Sequence, residues 1–81
     1  MTGIQLHILS PEGTLVQTEV SLVTLPGMLA PFTVLKDHAA LVTALVAGDI
    51  RYVENGSEKR LPIREGFVEV KDNQVKVCVE V

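Results

Sequence analysis

Ala39-Ala40-Leu41-Val42-Thr43-Ala44-Leu45-Val46-Ala47 is the stretch of this 81-residue chain that reads two ways, and its reading separates an all-β fold from a mixed one. Ala40, Leu41, Ala44 and Leu45 would share one face of a helix. Against that, Val42, Thr43 and Val46 are β-branched, and the run amounts to at most about two and a half helical turns, too short to hold without outside support. The stretch is taken as a strand.

Its surroundings write strands as well. Downstream, Gly48-Asp49 turns the chain into Ile50-Arg51-Tyr52-Val53, and Asn55-Gly56, the strongest hairpin signal present, returns it through Glu58 to Ile63. Phe67-Val68-Glu69-Val70-Lys71 follows Arg64-Glu65-Gly66. Asp72-Asn73 then turns the chain into a last strand, with Val75, Val77, Val79 and Val81 on one face and Lys76, Cys78 and Glu80 on the other. Upstream, Ile4, Leu6 and Ile8 alternate with Gln5 and His7 until Ser10-Pro11-Glu12-Gly13 supplies turn chemistry. Residues 14–25 change parity partway, which predicts two strands or one strand with a bulge, closed by Pro26-Gly27. Phe32-Thr33-Val34-Leu35 is a short strand, and Lys36-Asp37-His38 a polar corner. Thirteen valines and ten leucines against two Phe, one Tyr and no Trp agree with pleated, half-buried surface. The expected fold is all-β: a compact antiparallel β-sandwich or flattened barrel of about eight to ten short strands, one domain over residues 1–81.

Composition narrows function. Seven Lys and Arg against ten Asp and Glu leave a net charge of −3, with no basic cluster, so no nucleic-acid partner is expected. The longest nearly uncharged stretch, 20–35, is interrupted by Pro26, Gly27 and Pro31, which predicts no membrane-spanning helix and no insertion into a bilayer. Met1-Thr2-Gly3 has no basic n-region and no apolar core follows, so the domain is expected to start at once and to lie inside the cell. A chain of this size hides only roughly 60–65% of its unfolded surface. With 47% hydrophobic residues, it is therefore expected to offer apolar surface to a partner.

Candidate chemistry is sparse. Cys78 among valines reads as a small structural residue, and His7, His38 and Cys78 show no metal-ligand spacing, so neither metal nor cofactor is expected. Asp37-His38 has no serine at a nucleophile-elbow spacing, and adjacent residues at a corner point apart. His38 is instead a corner residue bonded to backbone or an interface contact, His7 is a solvated strand residue, and Glu65 and Glu69 are surface charges. Met28-Leu29-Ala30-Pro31-Phe32 stands out as an apolar loop that either plugs one end of the sandwich or meets a partner.

Taken in order, these segments resemble the N-terminal domain of the F-type ATP synthase epsilon subunit, called delta in mitochondria. Leu6-His7-Ile8-Leu9-Ser10-Pro11-Glu12-Gly13 is similar to that family's opening strand and Ser-Pro-x-Gly turn, and Val20-Ser21-Leu22-Val23-Thr24-Leu25-Pro26-Gly27 to its strand running into Leu-Pro-Gly. Val34-Leu35-Lys36-Asp37-His38-Ala39-Ala40-Leu41-Val42-Thr43-Ala44-Leu45 resembles its Val-Leu-x-x-His-Ala-x-Leu-x-x-x-Leu, followed by Gly48-Asp49-Ile50-Arg51. Gly66-Phe67-Val68-Glu69-Val70 and Asn73-Gln74-Val75-Lys76-Val77 are similar to its last hairpin. Two places depart from the pattern: the family commonly has a Gly-rich loop where Met28-Leu29-Ala30-Pro31-Phe32 stands, and Pro-Gly-His-Ala-Pro where Lys36-Asp37-His38-Ala39-Ala40 stands. The resemblance runs to Val81, where the family usually continues into two regulatory helices, and nothing of their role is assigned to these residues.

The resemblance implies a non-catalytic central-stalk subunit that links the gamma subunit to the membrane c-ring and couples ion translocation to ATP synthesis. It implies a peripheral position on the cytoplasmic face of the bacterial inner membrane, with no small-molecule substrate. Met28, Leu29, Ala30, Pro31 and Phe32 would then contact the c-ring, and Ser10, His38, Leu41 and Thr43 gamma. Phe32→Asp is expected to loosen the c-ring and leave the fold intact. The alternative is a free-standing cytoplasmic β-sandwich module binding a small ligand or peptide, which a monomer with no exposed apolar patch would favour.

Overall fold

In the computed structural model, residues 3–81 are described; the start expected at Met1 and Thr2 lies outside the described residues. Among the described residues the chain forms nine strands: β1 Ile4–Ser10, β2 Gly13–Val20, β3 Leu22–Leu25, β4 Phe32–Val34, β5 Leu41–Leu45, β6 Gly48–Glu54, β7 Ser57–Ile63, β8 Glu65–Lys71 and β9 Gln74–Glu80. The ambiguous stretch is strand β5, since antiparallel pairing with β8 satisfies its backbone from Leu41 to Leu45. No helix long and apolar enough to cross a membrane occurs among the described residues.

Two sheets face each other, one of five strands in the order β2-β1-β9-β8-β5 and one of four in the order β4-β3-β6-β7. Residues 14–25 divide at Ser21, so that β2 ends in the first sheet and β3 opens in the second. The inward parity changes at that division, from Val16 and Val20 to Val23 and Leu25, and β2 carries a bulge besides: Ile8 pairs with Val16 and Leu9 with Thr14, which leaves Leu15 as the extra residue. All pairs are antiparallel except β1 with β9, which run parallel and join the two ends of the chain at the sheet centre. Both two-residue hairpins, Asn55-Gly56 and Asp72-Asn73, carry positive φ at both positions (51° and 79°, 51° and 61°), the mirror-image turn that suits twisted strands.

The core is aliphatic. Ile4, Leu6 and Ile8 meet Val23, Leu25 and Ile50 of the other sheet in one cluster with Val68, Val70, Val75, Val77 and Val79, and no polar side chain is buried among the described residues. The alternation in β9 ends at Glu80, so Val81 leaves the row of inward valines and is exposed.

Registers place the connections at two ends. At one end lie the turn 10–13, the loop 26–31 and the β5–β6 connection at Val46-Ala47. The corner 35–40 and both Asx-containing hairpin turns lie at the other.

Candidate functional site

The loop after β3 is held at its root and bare at its tip. Gly27 bridges to Leu45, the Val46 N–H donates to the Pro26 carbonyl at 2.9 Å, and the Met28 N–H donates to the Ala44 carbonyl at 3.0 Å. Gly27 is required there, because a Cβ would stand 2.6 Å from the Ala30 carbonyl oxygen and 2.9 Å from the Phe32 ring. Beyond this anchor Met28 is 61% and Leu29 97% exposed, and Ala30 and Pro31 are exposed too. An apolar tip fixed in water by main-chain bonds has no core of its own to enter, which removes the end-plug alternative for Leu29.

Phe32 behaves differently from the rest of that set. It opens β4 opposite Leu25, is half-buried and packs on the core. The expectation that Phe32→Asp spares the fold is therefore corrected: a carboxylate there enters the edge of an aliphatic core.

A second apolar surface crosses the outer face of the five-stranded sheet. Leu9 pairs with Cys78, Cys78 with Phe67 and Phe67 with Ala44, so four neighbouring strands contribute one apolar residue each to a continuous row. Phe67 is 52% exposed. The adjacent row is mixed, His7, Lys76, Glu69 and Val42, with His7 Nε2 3.2 Å from Thr14 Oγ1 and Val42 standing clear of the surface.

The residues expected at a gamma contact are spread around this face. Ser10 closes the β1–β2 turn, its Oγ accepting the Glu12 N–H at 3.2 Å, and shares an end with the apolar loop. His38 sits at the opposite end, with Nδ1 2.8 Å from the Ala39 carbonyl oxygen and its backbone N–H donating to the Leu35 carbonyl at 3.1 Å. Leu41 and Thr43 share parity with buried Leu45, and Leu41 packs on the core, so the outward residues of β5 are Val42 and Ala44. Sequence reasoning passed over Leu9, Phe67, Cys78, Val42 and Ala44 as a group. Only the cross-strand register joins them, although an outward Phe in the alternation of β8 was a usable signal.

A polar contact between β2 and β6 fastens one sheet to the other. Thr18 on β2 donates to Glu54 Oε2 at 2.5 Å, while Lys59 reaches Glu54 Oε1 at 2.9 Å. The Thr18 hydrogen bond first, then that of Lys59, holds the Glu54 carboxyl below the usual glutamate range, and the same carboxylate raises Lys59. Among the described residues no three His, Cys, Asp or Glu side chains gather as metal ligands.

Residues 3–81 match the model of the ATP synthase Delta/Epsilon chain, beta-sandwich domain. The chain belongs to that family. The ATP synthase epsilon chain of Desulfitobacterium hafniense is 37% identical over 75 residues, covering 93% of this chain and 57% of that protein. This epsilon-type sandwich thus spans a little over half the length of such relatives. Among solved structures, a chain of the Euglena gracilis mitochondrial ATP synthase, described as OSCP/F1/c-ring in rotational state 1, superposes with a TM-score of 0.89 at 24% identity, covering 98% of this chain and 51% of that one. One of the Tetrahymena thermophila mitochondrial ATP synthase, described as central stalk/c-ring, gives a TM-score of 0.82 at 15% identity, covering 98% of this chain and 64% of that one. Both share the fold of the epsilon-type sandwich.

Proposed function

We propose that residues 1–81 act as one epsilon-type domain at the foot of an ATP synthase rotor, a non-catalytic connector between the gamma shaft and the c-ring. The observation that carries this is the presence of two separate apolar surfaces on one rigid body. The loop tip at Met28 and Leu29 projects from one end, while the row Leu9, Cys78, Phe67 and Ala44 lies across the outer face of a sheet. A connector needs two such surfaces and stiffness between them. Close-packed sheets supply the stiffness, because strand pairing and an interdigitated core resist shear.

On this reading the loop, principally Met28, Leu29, Ala30 and Pro31 with Phe32 at its base, meets the polar loops of the c-ring. The five-stranded face, bordered by Ser10 and His38 and carrying Val42 and Ala44 outward from Leu41 and Thr43, meets gamma. Torque raised by ion flow through the ring then passes through the sandwich to the shaft and the catalytic head, with no cofactor and no small-molecule substrate in this domain. The domain sits peripherally on the cytoplasmic face of the bacterial inner membrane. The free-standing binding module is disfavoured by the exposure of Leu29, Val42 and Phe67, since a monomer without partners rarely keeps large apolar side chains bare in groups.

Affinity purification of the tagged chain from gently solubilised membranes of its native host tests the assignment. Gamma, the c-subunit and the catalytic subunits should accompany it near stoichiometry; recovery of the chain alone contradicts the assignment.

A further inference from the structure

The apolar row on the five-stranded sheet has an acidic border on the side of the Ser10 turn. Glu65 and Glu80 stand directly opposite each other on β8 and β9, one pleat beyond Phe67 and Cys78 and on the same outward face. Like charges in direct opposition weaken a sheet, and the same two strands show the favourable arrangement two outward rows on, beyond Phe67 and Cys78, where Glu69 opposes Lys76. Neither carboxylate of the acidic pair is neutralised within the described residues, whose ion pairs are Glu54 with Lys59 and Asp49 with Arg60. Arg64, next to Glu65, gives its backbone N–H to the Glu80 carbonyl at 2.7 Å and forms no ion pair with either group. Glu65 and Glu80 line one surface groove of about 490 Å³ together with Leu9, Ser10, Phe67 and Cys78.

We infer that this groove docks a segment of the shaft subunit that presents an apolar side chain beside a Lys or Arg, the apolar group over Leu9, Cys78 and Phe67 and the cation between Glu65 and Glu80. The assignment deepens the proposed function and rests on the five-stranded face meeting the shaft. Its chemistry follows from complementarity: an apolar floor with an unneutralised carboxylate pair at its rim gives little to an acidic or purely polar segment and selects a basic, apolar one. Repulsion between the two glutamates, carried at a cost in the free chain, is relieved when the cation arrives.

The test uses the purified catalytic head with its gamma shaft, stripped of this chain, and measures rebinding of the wild-type chain and of the double variant Glu65→Gln, Glu80→Gln from about 50 mM to about 500 mM salt. Rebinding of the wild type should weaken steeply with salt. At low salt the double variant should bind at least about tenfold more weakly, with a flatter salt dependence. Its unfolding midpoint should match or exceed that of the wild type, an outcome a merely structural role for the pair does not give. Wild-type binding with an unchanged variant overturns the inference and leaves the shaft contact standing. No binding of the wild type overturns the shaft contact itself. Self-association of the free chain through Phe67, abolished by Phe67→Ser while the head remains unbound, assigns the face to a second copy instead.

Discussion

Asp37 and Asn73 hold each other across one end of the sandwich: the Asp37 backbone N–H donates to Asn73 Oδ1 at 2.6 Å, and Asn73 Nδ2 donates to Asp37 Oδ1 at 3.1 Å. Both residues have left-handed backbones, with φ of 65° and 61°. The Asn73 carbonyl also accepts the Gln5 N–H at 2.9 Å, so one asparagine gathers the corner before β5, the β8–β9 turn and the start of β1. This explains a departure from the family pattern, in which a glycine commonly occupies the position of Asp37. Asp tolerates the left-handed region better than most side chains, and here the two bonds to the Asn73 side chain, one from the Asp37 backbone N–H and one to its carboxylate, offset what strain remains.

Asp37→Ala should therefore destabilise the domain by about 1–2 kcal/mol, combining left-handed strain with a lost side-chain bond, whereas Asp37→Gly should stay within about 0.5 kcal/mol of wild type. Urea unfolding midpoints of the two variants, compared at unchanged slope, check this. Equal losses in both would mean that φ at residue 37 does not matter.

Gly66 should not tolerate a side chain. A Cβ there would run into the backbone carbonyl of Cys78 and into Val79 on β9. Gly66→Ala forces β8 and β9 apart at the centre of the five-stranded sheet, and a loss of about 2 kcal/mol or more in chemical denaturation is expected. Wild-type stability would show that the strands close in less tightly than described.

Leu29→Asp and Phe32→Asp should separate attachment from folding. Leu29 contributes almost nothing to the core, so its variant should unfold within about 0.5 kcal/mol of wild type while ATP hydrolysis in inverted vesicles loses its coupling to ion pumping. Phe32→Asp should lose coupling and about 2–3 kcal/mol of stability together. Full coupling with the Leu29 variant would remove the loop from the ring contact.

Acid should erase the Thr18–Glu54 link. The Glu54 carboxyl is held below its ordinary range in the folded chain, so its stabilisation is fully present above the unfolded value and disappears as pH falls through the folded one. Thr18→Val should accordingly lower Tm at neutral pH, and the gap to wild type should close well below about pH 4. Lys59, raised in the folded state, acts oppositely: its contribution holds at neutral pH and fades as pH climbs through the folded value. A gap independent of pH between about 7 and 3 would assign the Thr18 effect to packing alone.

Much of the fold was legible because it is local. The alternation of Ile4, Leu6 and Ile8, the Asn55-Gly56 and Asp72-Asn73 turns and the β-branched content of 39–47 each act within a few residues, and each reads the same in the structure. The parallel pairing of β1 with β9 was not legible, since no turn joins strands at opposite ends of the chain and an open antiparallel series satisfies the same alternation. The candidate surfaces split along the same line. An apolar loop after Leu25-Pro26-Gly27 is visible in the sequence as a run without charge. The row Leu9, Cys78, Phe67 and Ala44 exists only through the register of four strands, and Leu41 and Thr43 could be placed inward only once β5 had a sheet to face.

The central claim, one rigid connector between shaft and ring, is tested most directly by placing a photo-activated crosslinking residue at Leu29 in one variant and at Phe67 in another, within the assembled complex. Mass spectrometry of the products should join position 29 to the c-subunit and position 67 to gamma. Both positions crosslinking to a single partner, or neither to a rotor subunit, would contradict the account.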